Sequence, residues 1–243
     1  MTKVREDVIQ TMTEMMEDVR WIETECDTGT LDDDDEPDVG DLFADPDPYD
    51  TFEHEICGHK ILLHGHKAEN GQTIPSTGLT LWRAAPLLCD FMQQNVSLIE
   101  GQRVLELGAG LGLCGISAEL LGASEVCMTD GDTDTLAQLR ENVKANGCTK
   151  ATCPQLRWGH LVPEFVEHRG KFDVIIAADI IYVESILDPL FDTVVALMGH
   201  TFLLSYARRN VKIDLVMECA DRHNLSWTQP NGDDGVYVFK FKS

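Results

Sequence analysis

Basic residues are scarce in this chain of 243 residues: 19 Lys and Arg stand against 42 Asp and Glu, for a net charge of −23. Between Glu23 and Asp50 there is no Lys or Arg at all, while 13 acidic residues fall there, leaving about −10 for the rest. Such a surface repels phosphates and argues against a nucleic-acid backbone as the main partner; a basic protein partner is easier to accommodate. Long apolar runs are missing too. None approaches the roughly 18–20 residues that span a bilayer, so no membrane is expected. The N-terminus lacks the apolar core of a secretory signal and the Arg-rich, acid-poor character of a transit peptide, which points to the cytosol, with the nucleus also open. CxxC pairs are absent among the eight cysteines (26, 57, 89, 114, 127, 148, 153 and 219). Buried, reduced thiols fit this better than a disulfide framework, and no structural zinc or other metal is expected.

What is present fits one large domain plus a tail, with 43% hydrophobic and 25% charged residues; a monomer is expected. Val8, Met12, Met15, Val19 and Ile22 make one apolar face of a helix over about residues 5–22, either docked on the core or presented for recognition. From Asp27 to Tyr49 the run Asp32-Asp33-Asp34-Asp35-Glu36 and prolines 37, 46 and 48 predict an acidic linker without a packed core, serving as a solvated tail or attracting a basic substrate. The predicted organisation is an N-terminal amphipathic helix (1–22), the acidic linker (23–51) and one catalytic-type domain (52–243).

Within that domain, Phe52–Lys67 predicts a small hairpin around Gly58, and Thr80–Gln94 a helix with Pro86 early in it. From there strands and helices alternate: strand Val104–Leu107, helix Leu113–Leu121, strand Val126–Thr129, a helix capped by Asp132, and a short strand ending at Leu156–Trp158. The continuous apolar strand Asp173–Ala178, helix 185–198, strand Thr201–Tyr206, helix 211–223 and two final strands joined through Pro230-Asn231-Gly232 complete the series. The expected fold is therefore α/β: a Rossmann-like, seven-stranded, mostly parallel sheet with helices on both faces, the last strand antiparallel, preceded by the small N-terminal hairpin.

The central feature is Glu106-Leu107-Gly108-Ala109-Gly110-Leu111-Gly112, between the first parallel strand and its helix. A tight turn needs residues tolerant of positive φ, and missing Cβ atoms let a ligand reach the backbone. The crevice beyond the strand ends is where such sheets bind ligands. Gly110, Gly112 and Gly115 also satisfy GxGxxG, which keeps a nicotinamide enzyme in view. Two acids narrow the choice. Glu106, at the end of an apolar strand, would be satisfied by a cationic group such as the ammonium of S-adenosylmethionine, whereas a pyrophosphate would be repelled. Asp130, ending the next strand, is placed to accept hydrogen bonds from ribose hydroxyls. Either could instead be a loop or cap carboxylate.

These features, with Gly78-Leu-Thr-Leu-Trp82-Arg-Ala-Ala85, Thr129-Asp130, Asn142 and Asn146, Leu156-Arg-Trp158-Gly159 and Ala177-Ala-Asp179-Ile-Ile-Tyr182, resemble the seven-strand S-adenosylmethionine-dependent methyltransferases, and within them the protein-lysine methyltransferase-like group. The resemblance runs from about Phe52 to Phe241 and leaves the segment up to Tyr49 without a counterpart. It implies S-adenosylmethionine as cofactor and a protein substrate. It implies a cofactor pocket lined by Trp82, Gly108, Ala109, Gly110, Asp130, Trp158 and Ala178, which Glu106 joins on its own reading. Asp179 and Tyr182 match an Asp/Glu-x-x-Tyr motif facing the substrate nitrogen.

Methyl transfer from a sulfonium is an in-line displacement that demands a neutral, aligned nucleophile rather than acid–base chemistry. Asp179 could orient a lysine amine and Tyr182 bound the pocket, unless Asp179 is only an N-cap of the helix at 185–198; Trp82 and Trp158 could equally be core aromatics. His54, His59, His64 and His66 lack ligand partners at metal spacing and read as surface strand residues. Arg208-Arg209 is either a solvated loop or a substrate rim. Other readings are a small-molecule N-methyltransferase, a catalytically weak cofactor-binding interaction protein, and, more remotely, the nicotinamide enzyme, which leaves the Trp82 segment, Trp158 and the Asp179–Tyr182 motif unexplained.

Overall fold

The computed structural model describes residues 49–66, 77–160, 162–207, 211–230 and 235–243. The expected helix over 5–22, the acidic stretch up to residue 48, Arg208-Arg209 and residues 231–232 of the last connection lie outside the described residues.

Strands β1 (Tyr49–Ile56) and β2 (His59–His66) pair antiparallel through the turn at Cys57-Gly58, where both residues take positive φ. The second sheet has seven strands: β3 (Arg103–Leu107), β4 (Glu125–Thr129), β5 (Ala151–Thr152), β6 (Phe172–Ala178), β7 (Met198–Tyr206), β8 (Leu225–Thr228) and β9 (Gly235–Phe241). Their order is β5-β4-β3-β6-β7-β9-β8. All pairs from β5 to β7 are parallel, and β9 runs antiparallel to both β7 and β8, so the last strand inserts rather than extending the edge.

The helices are α1 (Ala84–Gln94), α2 (Leu113–Leu120), α3 (Thr133–Ala145), α4 (Val162–Arg169), α5 (Leu187–Leu197) and α6 (Ile213–Arg222). Strand alternation decides which helices cover which face, because successive side chains point to opposite sides. Leu105, Leu107, Ile175, Ala177, Phe202 and Leu204 join one core cluster with buried residues of α5 and α6. Val104, Val174, Ile176 and Leu203 join the other with those of α1, α2 and α3 and the hairpin residues Ile56, Ile61 and Leu63. The continuous apolar character of β6 follows from burial on both faces.

The hairpin is fastened to α3 by two asparagines. Asn142 Oδ1 accepts the His64 N–H at 2.9 Å and its Nδ2 donates to the His64 and Leu111 carbonyls at 3.1 and 3.0 Å. Asn146 treats Leu62 the same way, accepting its N–H at 3.0 Å and donating to its carbonyl at 2.7 Å. Four helical residues rise about 6 Å and two strand residues about 6.6 Å, so an i, i+4 pair of amides matches an i, i+2 pair of edge-strand peptides. The side chains take the place of a neighbouring strand along this edge.

Several sequence expectations shift. The helix expected from Thr80 begins at Ala84, after a short turn at Thr77–Leu79. The strand expected to end at Leu156–Trp158 is instead Ala151–Thr152. Pro154, which lacks an N–H, interrupts pairing, and only an isolated bridge from Gln155 to Asp130 survives. Helix α4 has no counterpart among the expected elements; Val162 is buried and Phe165 and Val166, at i+3 and i+4 from it, pack half-buried against the core, a stripe of only three residues.

Candidate active site

The chain runs outward from β3 to β4 and β5 and then returns to the other side of β3 as β6, which places a topological switch point between β3 and β6. Helices leave these two strands toward opposite faces, opening a crevice beyond their C-terminal ends. A cavity of about 570 Å³ lies there, lined by Gly108 and Gly110 after β3, Asp130 after β4 and Asp179 after β6, together with Trp82, Trp158, Ala178 and Tyr182. Its size is in the range of small-molecule sites.

The glycines are needed where they stand. Gly108 has φ +65°, and a Cβ there would sit 2.7 Å from Ile180 Cγ2 and 3.5 Å from Trp158 Cζ2. Gly110 has φ +54°, and its Cβ would meet the Gly78 carbonyl at 3.3 Å. The turn is held from β4 in two ways: the Ala109 N–H donates to Thr129 O at 2.9 Å, and the Gly110 N–H to Asp130 Oδ2 at 3.1 Å. Asp130 Oδ1 accepts the Asp132 N–H at 3.0 Å, so one carboxylate joins the turns after β3 and β4. Burial raises the Asp130 carboxyl above the usual carboxylate range, offset in part by those backbone donors. Asp132 caps α3, its Oδ1 accepting from the Asp134 and Thr135 amides at 2.9 and 2.8 Å, as the sequence predicts.

Asp179 takes φ +57°, uncommon for a residue with a side chain, and its Oδ2 accepts the Ala84 N–H at 2.9 Å. The expected capping role is therefore real but belongs to α1, not to the helix that follows Asp179 in sequence. The left-handed backbone turns the side chain toward the first turn of α1 and away from α5. That bond also ties β6 to the segment carrying Trp82, whose Nε1 donates to Thr77 O at 2.7 Å. Trp158 is set beside α5 by the next residue, since the Gly159 N–H donates to the buried Thr193 hydroxyl at 3.0 Å. Burial first, and then the charge of Asp130, push the Tyr182 phenol upward, so it is a neutral hydroxyl at ordinary pH.

Glu106 and Ala109 do not line the cavity. Alternation puts Glu106 on the Val104 side of β3, beneath α2; a Cβ on Gly115 would lie 2.5 Å from its Oε2, and that oxygen has no hydrogen-bond partner among the described residues. Burial pushes its carboxyl up to about 8, with the Asp130 charge adding to the rise and the Gly115 N–H and Cys114 thiol opposing it. In the chain by itself Glu106 stands beneath the turn rather than in the cavity lining, and a buried acid avoids the cost of its charge by staying protonated at neutral pH. Ala109 is packed in the core, and only its backbone serves the turn. Residues not anticipated as lining include Thr77, Arg157, Ile180, Ile186 and Pro189. Ile180 sits inside the Asp179–Tyr182 motif and could have been included; Ile186 and Pro189 carry no signal that separates them from ordinary helix-start residues.

The cradle suits S-adenosylmethionine: glycines where a Cβ would fill the space, a carboxylate at the end of β4 for ribose hydroxyls, and aromatics at the rim. The fold and this crevice define a class I S-adenosylmethionine-dependent methyltransferase. Among solved structures, an rRNA N2-guanine methyltransferase from T. Thermophilus in complex with AdoMet and guanosine shares the fold with TM-score 0.58 and 19% identity, over 82% of this chain and 52% of that one. A putative methyltransferase from Streptococcus mutans aligns with TM-score 0.56 and 14% identity, covering 78% of this chain and 54% of that one.

The family described as lysine methyltransferase matches residues 66–223, and the chain belongs to it. Protein N-lysine methyltransferase METTL21A of Danio rerio is 31% identical over 196 residues, 78% of this chain and 86% of that protein. Protein-lysine N-methyltransferase EFM3 of Chaetomium thermophilum is 35% identical over 56% of this chain, which spans only 44% of that relative. EEF1A lysine methyltransferase 3 of Mus musculus is 35% identical, with 59% of each chain covered.

Proposed function

We propose that the chain transfers a methyl group from S-adenosylmethionine to a lysine side chain of a protein substrate. The observation that carries this reading is the convergence of Asp179 and Tyr182 with Trp82, Trp158 and the glycine turn on one cavity at the switch point. The bound cofactor supplies an electrophilic sulfonium methyl; the substrate brings the amine, and this chain must hold it neutral and in line with the methyl. Gly108 and Gly110 open the backbone to the cofactor's chain, Asp130 is positioned for its ribose, and Trp158 for its adenine. Asp179, its carboxylate oriented by the Ala84 N–H, accepts a hydrogen bond from the amine and aims the lone pair. The Tyr182 hydroxyl bounds the pocket, and burial of the lysine there favours its uncharged form against its ordinary value near 10.4. The acid-rich stretch from Glu23 to Asp50 suits a substrate whose target lysine lies in basic surroundings.

The test is tritium transfer from labelled S-adenosylmethionine into a cell extract, comparing wild type with Asp179→Asn. The amide oxygen keeps an acceptor for Ala84, so α1 stays capped while the charge facing the amine is lost. A labelled protein band that falls by about 100-fold in the variant, with cofactor affinity retained, is the expected result. Label confined to small molecules, or a band indifferent to the substitution, overturns the reading.

A further inference from the structure

Helices α5 and α6 pack against each other, and each side of the contact carries a pair of metal-binding side chains one turn apart: Asp188 and Asp192 on α5, and Cys219 on α6 with His223 at its C-cap. Asp188, Cys219 and His223 each bring one donor atom to within 4.8 Å of the others. Cys219 Sγ lies 3.3 Å from Asp188 Oδ1 and 3.7 Å from His223 Nδ1. A tetrahedral zinc site, with metal–sulfur bonds near 2.3 Å and metal–nitrogen or –oxygen bonds near 2.0–2.1 Å, has edges of roughly 3.3–3.6 Å. The other imidazole nitrogen, Nε2, is 3.1 Å from Asp192 Oδ1, the carboxylate–histidine relation that orients ligating histidines. Cys219 is buried, the His223 side chain is 14% exposed, and Asp188 reaches the surface, which gives an ion a way in.

We propose that Asp188, Cys219 and His223 form a site for a zinc-class divalent cation that bridges α5 and α6, with Asp192 as its outer carboxylate. The cation displaces the thiol hydrogen from Sγ and binds the lone pair of Nδ1, the imidazole carrying its hydrogen on Nε2 toward Asp192, so uptake releases the thiol proton, and a water completes the fourth position on the exposed side. Two contacts give way: His223 Nδ1 is 2.8 Å from the Cys219 carbonyl, and Arg222 Nη2 is 2.8 Å from the same Asp188 oxygen. Without a cation, burial and the Asp188 charge hold the thiol at about 12, consistent with a plain thiol–carboxylate hydrogen bond in the empty state. The sequence shows none of this, because Asp188 and Cys219 are 31 positions apart.

The test is titration of the chelator-stripped full chain with Co²⁺, read by the thiolate-to-cobalt charge-transfer band in the near ultraviolet. One equivalent is expected to develop the band, and Cys219→Ser to abolish it. Asp192→Asn, at an exposed position, should weaken binding roughly 10- to 100-fold, and Asp188→Asn by at least as much. Arg222→Ala, which removes the competing cation, should tighten it. Should Cys219→Ser fail to fold, the two surface carboxylate variants still decide. No band in wild type, a band that survives Cys219→Ser and so belongs to another thiol, or affinity indifferent to both carboxylates overturns the site. None of these readouts depends on methyl transfer.

Discussion

Two regions of this molecule place polar side chains against backbone, and the chain treats them differently. Where the hairpin meets α3, Asn142 and Asn146 satisfy both peptide groups of His64 and Leu62. At the ends of β3, β4 and β6, carboxylates and positive-φ residues converge on a cavity, and beneath its glycine turn, outside the lining, one carboxyl oxygen of Glu106 lacks a partner among the described residues. Polar groups whose partners are completed within the chain are scaffold. Those assembled around open space, on backbone that is costly to adopt, mark where a ligand is to be received.

Glu106 offers the largest test of that contrast. An unfolded Glu titrates near 4.3, whereas burial in the fold holds this one at about 8. The folded state therefore keeps a proton that the unfolded chain gives up. The stability this represents is complete below about pH 4 and is lost as pH rises through 8, at about 1.4 kcal/mol per pH unit between. Glu106→Gln, permanently neutral and of the same shape, should flatten the curve. Urea unfolding between about pH 5 and pH 8 should show wild type losing up to about 4 kcal/mol relative to the variant. Parallel curves would mean that the carboxyl is ionised and has a partner after all.

Gly108→Ala addresses the ligand side. With φ +65° and Ile180 Cγ2 only 2.7 Å from the new methyl, the turn must shift or Ile180 must move toward the cavity. Affinity for S-adenosylmethionine, measured by calorimetry, should fall roughly 100-fold, equivalent to about 2.7 kcal/mol. An unchanged affinity would show that this turn does not cradle the ligand.

How much of this was legible in the sequence follows from the range of the interactions involved. The sheet, the glycine turn, Asp130 and the Asp132 cap depend on periodicity and neighbours within a few residues, and they stand where pattern places them. The side of β3 on which Glu106 falls depends on which helix covers which face, which no local pattern states. Asp179 accepts a hydrogen bond from a residue 95 positions earlier, so capping logic applied locally chose the wrong helix. Pro154 could have moved the short strand upstream, since its missing N–H was in plain sight. Helix α4 is eight residues long, and its stripe of Val162, Phe165 and Val166 is too short a run for periodicity to separate it from a loop.

The scaffold side predicts smaller, separable effects. Asn142 is buried and makes three bonds to backbone, so Asn142→Ala should cost about 2–3 kcal/mol, mostly from orphaned peptide groups at His64 and Leu111. Asn146 serves a more exposed peptide, and Asn146→Ala should cost about 1 kcal/mol. Amide hydrogen exchange separates the two without reference to global stability. In Asn146→Ala the Leu62 amide should lose protection while the His64 amide keeps it, and Asn142→Ala should do the reverse. If either substitution releases both amides together, the hairpin is held as a unit by Ile56, Ile61 and Leu63 in the core, and the asparagine pair only sets its register. Separate release would show that each amide holds its own peptide, as one residue of a neighbouring strand would.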